Sequence, residues 1–343
     1  MSWTDAIAGI EAFEDIALDP TLVAGFEEAA RTHPLPPMRL FTPSFRAFAT
    51  EEVQGCGKQS FPAFSVTGGT CALMCDHCQA KILEPMIPTR DPASFEATAR
   101  SMIAAGGMRG FLLSGGSNRR NEVPYERYYP VVERLKRDFP FLSIAIHAGL
   151  LDRARAGRMQ DAGVDVAMMD VIGAQQTIRE VYHLDRTVAE FEETLAILCE
   201  TSMAVVPHIV IGLHYGRLLG EQEALAMVAR HSVAALVLVV VMPEYAAVAT
   251  PFALVSAEDA AGIFLAARRL LPHVPVQLGC ARPGGRHKLL TDAYATMAGF
   301  DGIAFPAEGV VALARAIGRP VEQAHSCCAV ALRGLRGNCA RAA

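Results

Sequence analysis

From residue 64 onward the chain repeats one pattern. A short apolar run is followed by a longer stretch with apolar positions at helical spacing. The runs are Phe64–Thr67, Gly110–Ser114, Leu142–His147, Asp165–Met169, Val205–Ile211, Ala235–Val241, Val276–Gly279 and Gly302–Phe305. Helix starts stand between them: Asp91 before Pro92, Thr187 before an acidic first turn, and Ser256 before Glu258 and Asp259. Apolar strands that alternate with helices predict a parallel sheet covered on its faces. Eight such units in about 250 residues predict an α/β fold, a closed (β/α)8 barrel of the TIM type. A doubly wound open sheet is the alternative, but it usually has fewer units.

Ahead of the barrel, Ile7, Ile10, Phe13 and Ile16 fall at helical spacing, and Pro20 opens a second helical stretch. The segment His33-Pro34-Leu35-Pro36-Pro37 breaks the pattern, and residues 38 to 63 show no clear period. The expected organisation is a helical extension over 1–60, the barrel over 61–310 and a C-terminal tail over 311–343 that closes the barrel mouth.

Composition narrows the function. Apolar residues make up 52% of the 343, enough for a large core, and the net charge of −5 offers no basic patch for nucleic acid. The longest apolar run, Val233 to Pro243, is too short to span a bilayer, and the acidic first helix does not resemble a signal peptide. A cytoplasmic protein with no membrane partner is expected. Its nine cysteines, an odd number in a reducing compartment, argue for metal or cluster ligation over disulfides.

Barrel active sites are built at the C-terminal ends of the strands, and polar residues and glycines collect there. Strand one runs into Cys71, Cys75 and Cys78 at C-x3-C-x2-C spacing. One short loop can thus present three thiolates to three irons of a [4Fe–4S] cube, leaving the fourth iron open. A structural zinc site would want four closed ligands, typically two C-x2-C pairs. A zinc-type hydrolase built on His147, His208 and His214, all at strand ends, is a remote alternative. A non-catalytic electron carrier is another, but it needs neither a large barrel nor an open iron.

The C-x3-C-x2-C loop after the first strand resembles the radical S-adenosylmethionine (SAM) superfamily. That resemblance covers about residues 60 to 310. It implies a [4Fe–4S] cluster on Cys71, Cys75 and Cys78, with SAM chelating the open iron and cleaved to a 5′-deoxyadenosyl radical. It also implies that Gly115, Gly116 and Ser117 approach the methionine amino group and that Asp170 holds the ribose hydroxyls. Gly212 and Leu213 would flank the adenine. Three departures stand out: His77 replaces the usual aromatic, Ser117 replaces an acid, and Phe191-Glu192-Glu193 occupies the place of an arginine. Arg179 is the substitute for the SAM carboxylate.

Of the remaining cysteines, Cys199 reads as a packed core thiol and Cys339 as incidental. Cys280, at the end of strand seven, and the adjacent Cys327 and Cys328 could hold an auxiliary [4Fe–4S] cluster with Cys56. Cys56 lies eight residues before strand one and would need about 26 Å of extended chain to reach the mouth. Arg282 and Ser326 are alternative ligands. A second cluster resembles the plan of biotin synthase and lipoyl synthase, which insert sulfur at unactivated carbon.

Longer strings narrow the resemblance: Ser114-Gly115-Gly116-Ser117, His147-Ala148-Gly149-Leu150, Val181-Tyr182-His183-Leu184-Asp185, Gly279-Cys280-Ala281-Arg282-Pro283 and His325-Ser326-Cys327-Cys328. They look like a component of the two-protein, archaeal-type lipoyl synthase. The single-chain enzyme's C-x4-C-x5-C motif is absent. This resemblance implies an octanoyl chain on a lysine of an octanoyl or lipoyl carrier protein. It also implies a sister radical SAM protein and an electron donor such as ferredoxin or flavodoxin. Another biotin synthase-like reaction, with thioether, rearrangement or methylation chemistry, is the alternative.

Overall fold

A computed structural model describes residues 2–32, 35–43, 47–55 and 60–330. Eleven strands form one all-parallel sheet. They are β1 (Met38–Phe41), β2 (Ala63–Ser65), β3 (Ile87–Pro88), β4 (Gly110–Ser114), β5 (Ser143–His147) and β6 (Val166–Asp170), then β7 (Ala204–Ile211), β8 (Leu236–Val240), β9 (Val276–Leu278), β10 (Gly302–Ala304) and β11 (Val321–Ala324). Their order is β11-β1-β10-β9-β8-β7-β6-β5-β4-β2-β3. All eight expected runs are strands, each beside its chain neighbour. Asp91, Thr187 and Ser256 cap the helices Pro92–Ala104, Val188–Cys199 and Ala257–Leu270 through their side chains.

Two features differ from the expectation. The segment without a clear period contains β1, which extends the sheet beyond β10 and carries β11 on its outer edge. The barrel is also not closed by hydrogen bonds: among the described residues the ladder ends at β11 on one side and β3 on the other. It is a half-barrel. The edge ladders are short, four paired residues between β1 and β11 and two between β2 and β3.

Side-chain alternation divides the core. Outward positions such as Phe111, Ile144, Ile146, Leu236 and Leu238 pack with the helices in the larger cluster. Inward positions, including Phe41, Ala145, Met168, Val206, Val237 and Ala304, form a second cluster in the lumen. The chain after β11 turns into this lumen. Cys328, Ala329 and Val330, at 5%, 0% and 1% exposure, pack there with β5, β6 and β10. A plug from the tail thus fills space that an unclosed sheet would leave to water. No helix among the described residues is long and apolar enough to cross a membrane.

Candidate active site

Strand parity builds the site. Position 147 on β5, 170 on β6 and 208 on β7 share the inward face with Ala145, Met168 and Val206. The parallel registers pair His147 with Met168 and Asp170 with His208, so the three polar side chains gather at one level. They line a cavity of about 330 Å³ together with Cys71, Cys75, Cys78, Gly115, Gly116, Ser117, Cys280, Cys327 and Cys328. Most of the remaining lining is apolar, including Leu73, Met168, Val237 and Val239, and no Lys or Arg lines the cavity among the described residues.

The cysteine loop is held from both sides. Before it, Thr67 and Thr70 exchange side-chain to backbone hydrogen bonds, each 2.8 Å long. Behind it lies the Gly115-Gly116 turn. A Cβ on Gly116 would come within 2.0 Å of Thr70 O and 2.7 Å of Cys71 Cβ. Glycine is required because the two loops touch, and Ala72 N–H then donates to Ser117 O at 2.8 Å. Within the loop, Met74, Gln79 and Ala80 adopt positive φ, a conformation that non-glycine residues keep only when their surroundings impose it.

The thiols sense one another. A hydrogen bond from Cys75 holds Cys78 down at about 4 despite its burial, with His77 adding to the effect. The same contact drives Cys75 upward. Thiols that interact this closely on one loop, beside a glycine turn with no room for a side chain, suit three corners of a cubane cluster. Among the described residues no three His, Cys, Asp or Glu converge as on a single metal ion.

On the lumen side Cys280, Cys327 and Cys328 come together. Cys328 hydrogen-bonds Cys327 and faces Cys280, while Cys327 faces His147. Ser326 is 5% exposed, and its Oγ is buried without a hydrogen-bond partner among the described residues. Cys56 and Cys339 lie outside the described residues. Cys199 is a partly buried helix thiol, raised to about 11 by burial.

Burial would raise the carboxyl of Asp170, but His147, His208 and His77 together hold it at about 2. Burial and His147 push His208 down to about 4, so it is neutral. Burial also opposes charge on His147, yet Asp170 raises it.

Several expected contributors sit elsewhere. Arg282 has no capacity left for a cluster: its side chain is 0% exposed, grips Asp292 with two nitrogens at 2.6 and 2.9 Å, and also donates to Gly279 O and Phe305 O. Arg179 is exposed in the last turn of Gln175–Glu180 and does not line the cavity. Gly212 (φ +77°) faces Val255 and Val241, and Leu213 is buried outside the cavity lining. His214 does not join His147 and His208: its Nδ1 meets Thr177 Oγ1 at 3.2 Å, and its ring packs on Tyr215. A three-histidine metal site therefore does not form.

The sequence singled out Tyr182 only as part of the string 181–185 and gave it no role at the site. Its ring stacks on His77 with centroids 5.1 Å apart and a 30° interplanar angle. An aromatic after the Gln175–Glu180 helix gives no signal by itself.

A parallel half-barrel thus carries a three-cysteine loop at its C-terminal rim, with Asp170 lining the same cavity. Residues 65–225 match the family model of the Radical SAM superfamily, so that stretch is similar to proteins that use a [4Fe–4S] cluster and SAM. No curated protein matches the sequence. Methylornithine synthase (PylB) shares the fold, with a TM-score of 0.56 at 11% identity over 94% of this chain and 97% of that one. So does HydG, a maturase of the [FeFe]-hydrogenase, with a TM-score of 0.59 at 12% identity over 89% and 68% of the two chains.

Proposed function

We propose that this radical SAM enzyme inserts sulfur into an octanoyl chain amide-linked to a lysine of a carrier protein. It adds one of the two sulfurs of a lipoyl group, and a sister radical SAM protein adds the other. The observation that carries this reading is the convergence of Cys280, Cys327 and Cys328 on the same apolar cavity as Cys71, Cys75 and Cys78.

In this reading Cys71, Cys75 and Cys78 hold the SAM cluster, and Asp170 accepts the ribose hydroxyls beside Gly115, Gly116 and Ser117. When bound, cluster and SAM supply the hydrogen-abstracting radical. Cys280, Cys327 and Cys328 hold an auxiliary [4Fe–4S] cluster. The Oγ of Ser326, beside Cys327 and partnerless among the described residues, offers a fourth contact in place of Arg282. The apolar walls exclude water from the reacting carbon. A cavity lined by no Lys or Arg among the described residues suits an uncharged acyl amide better than a free carboxylate. Electrons come from a ferredoxin- or flavodoxin-type donor.

The test is an anaerobic reaction of reconstituted protein with an octanoyl-lysine peptide, SAM and reductant, with and without the sister protein. The expected product by mass spectrometry is the monothiolated peptide. Deoxyadenosine formation with no thiolated product under either condition would overturn the reading in favour of another radical reaction.

A further inference from the structure

The segment Val181-Tyr182-His183 lies against the cysteine loop. Asp76, inside the cysteine motif, donates its N–H to Val181 O at 3.0 Å. Its carboxylate meets His183 Nε2 at 2.9 Å and Tyr215 OH at 3.2 Å, and its carbonyl accepts from Ala247 N at 2.8 Å. His183 has φ +55°, outside the usual range for a side-chain-bearing residue, which is consistent with a turn held in place by its partners. Between these anchors, Tyr182 turns its ring onto His77 and places its hydroxyl 3.5 Å from Asp170 Oδ2. It is 4% exposed. One side chain therefore touches both the loop of the three cysteines and the carboxylate on β6.

We propose that Tyr182 is a positioning residue that fixes Asp170 relative to the cysteine loop, so that the cluster and the ribose-binding carboxylate engage one SAM molecule. This rests on the reading of Asp170 as the ribose acid. The stack on His77 restrains the loop, and the hydroxyl restrains the carboxylate. Cutting the second restraint leaves Asp170 free to turn toward His147 alone, 3.6 Å away. Tyr182 itself takes no part in bond making.

The experiment compares Tyr182→Phe, Tyr182→Leu and Asp170→Asn with the wild-type protein after anaerobic reconstitution. It reads iron content, SAM affinity and the change in the reduced cluster's electron paramagnetic resonance spectrum when SAM is added. Tyr182→Phe keeps the stack and is expected to load iron fully. It should bind SAM about 5- to 10-fold more weakly, the loss of one long hydrogen bond. Tyr182→Leu is expected to weaken SAM binding further and to blunt the SAM-induced spectral change. Asp170→Asn is expected to weaken SAM binding at least as much as Tyr182→Phe. Wild-type affinity and spectra in Tyr182→Phe, with weakened binding in Asp170→Asn, would overturn the proposal while sparing the ribose assignment. Wild-type SAM affinity in Asp170→Asn would overturn that assignment and the proposal with it. If Tyr182→Leu loses iron, Tyr182→Phe alone decides.

Discussion

His147 Nε2 stands 3.6 Å from Asp170 Oδ1, across neighbouring strands whose register turns both side chains into the lumen. His208 packs its ring against His147 at 5.4 Å and donates through Nδ1 to Val206 O, so one imidazole pairs with the carboxylate and the other stays neutral. A half-buried triad of this kind ties the stability of the cavity wall to pH.

For His208 the direction is fixed by its pKa of about 4 in the folded chain against an ordinary 6.5. Between those values the unfolded chain binds more protons. The contribution is therefore fully present above about 6.5 and is lost as pH falls toward 4, by at most about 3 kcal/mol. Thermal melts of cluster-free protein from pH 7 to 4 should show a smaller acid-side loss in His208→Gln than in the wild type. Parallel curves would contradict the neutral-imidazole assignment.

Replacing Cys71, Cys75 or Cys78 with Ala should remove about four irons per chain and abolish SAM cleavage. Cys280→Ala or Cys327→Ala should likewise remove about half of an expected seven or eight irons. Those variants should retain deoxyadenosine formation while losing thiolated product. The two sets lose a similar amount of iron, so chromatography of the nucleoside products separates them.

Gly116→Ala drives a methyl group into Thr70 O and Cys71 Cβ. The cysteine loop must shift, so iron loading should fall while the far-ultraviolet circular dichroism of the barrel is unchanged. Full loading in this variant would show that the two loops do not rely on each other.

Arg282→Met leaves the Asp292 carboxylate, 0% exposed, with Lys288 Nζ and Ala307 N as its remaining partners. Removing one member of a buried pair costs about 3 kcal/mol, so the unfolding temperature should drop by several degrees. Loss of iron with an unchanged unfolding temperature would instead identify Arg282 as a cluster ligand.

The eight barrel strands were legible because each is a near-continuous apolar run, as burial on both faces demands. The strand Met38–Phe41 was not, since four residues carrying one arginine show no period. The strand Val321–Ala324 was not either, because its Glu and Gln lie exposed on an edge. Hydrophobicity identifies strands but does not encode whether the first and last of them pair, which is why closure was expected and a half-barrel is found. The Cys71, Cys75 and Cys78 loop was readable from spacing alone. Arg282 was misread because its partner, Asp292, lies ten residues away on a helix, and sequence does not reveal which charges are already spoken for. The contact between Tyr182 and His77 spans more than one hundred residues and leaves no local trace.

The inward turn of Cys328, Ala329 and Val330 has a consequence for biogenesis. Every strand of the half-barrel except β11 precedes β10 in the chain, so the nascent sheet can assemble while these residues are still inside the ribosome. The part of the cavity lining that Cys327 and Cys328 supply is therefore the last to be made, after every strand around it.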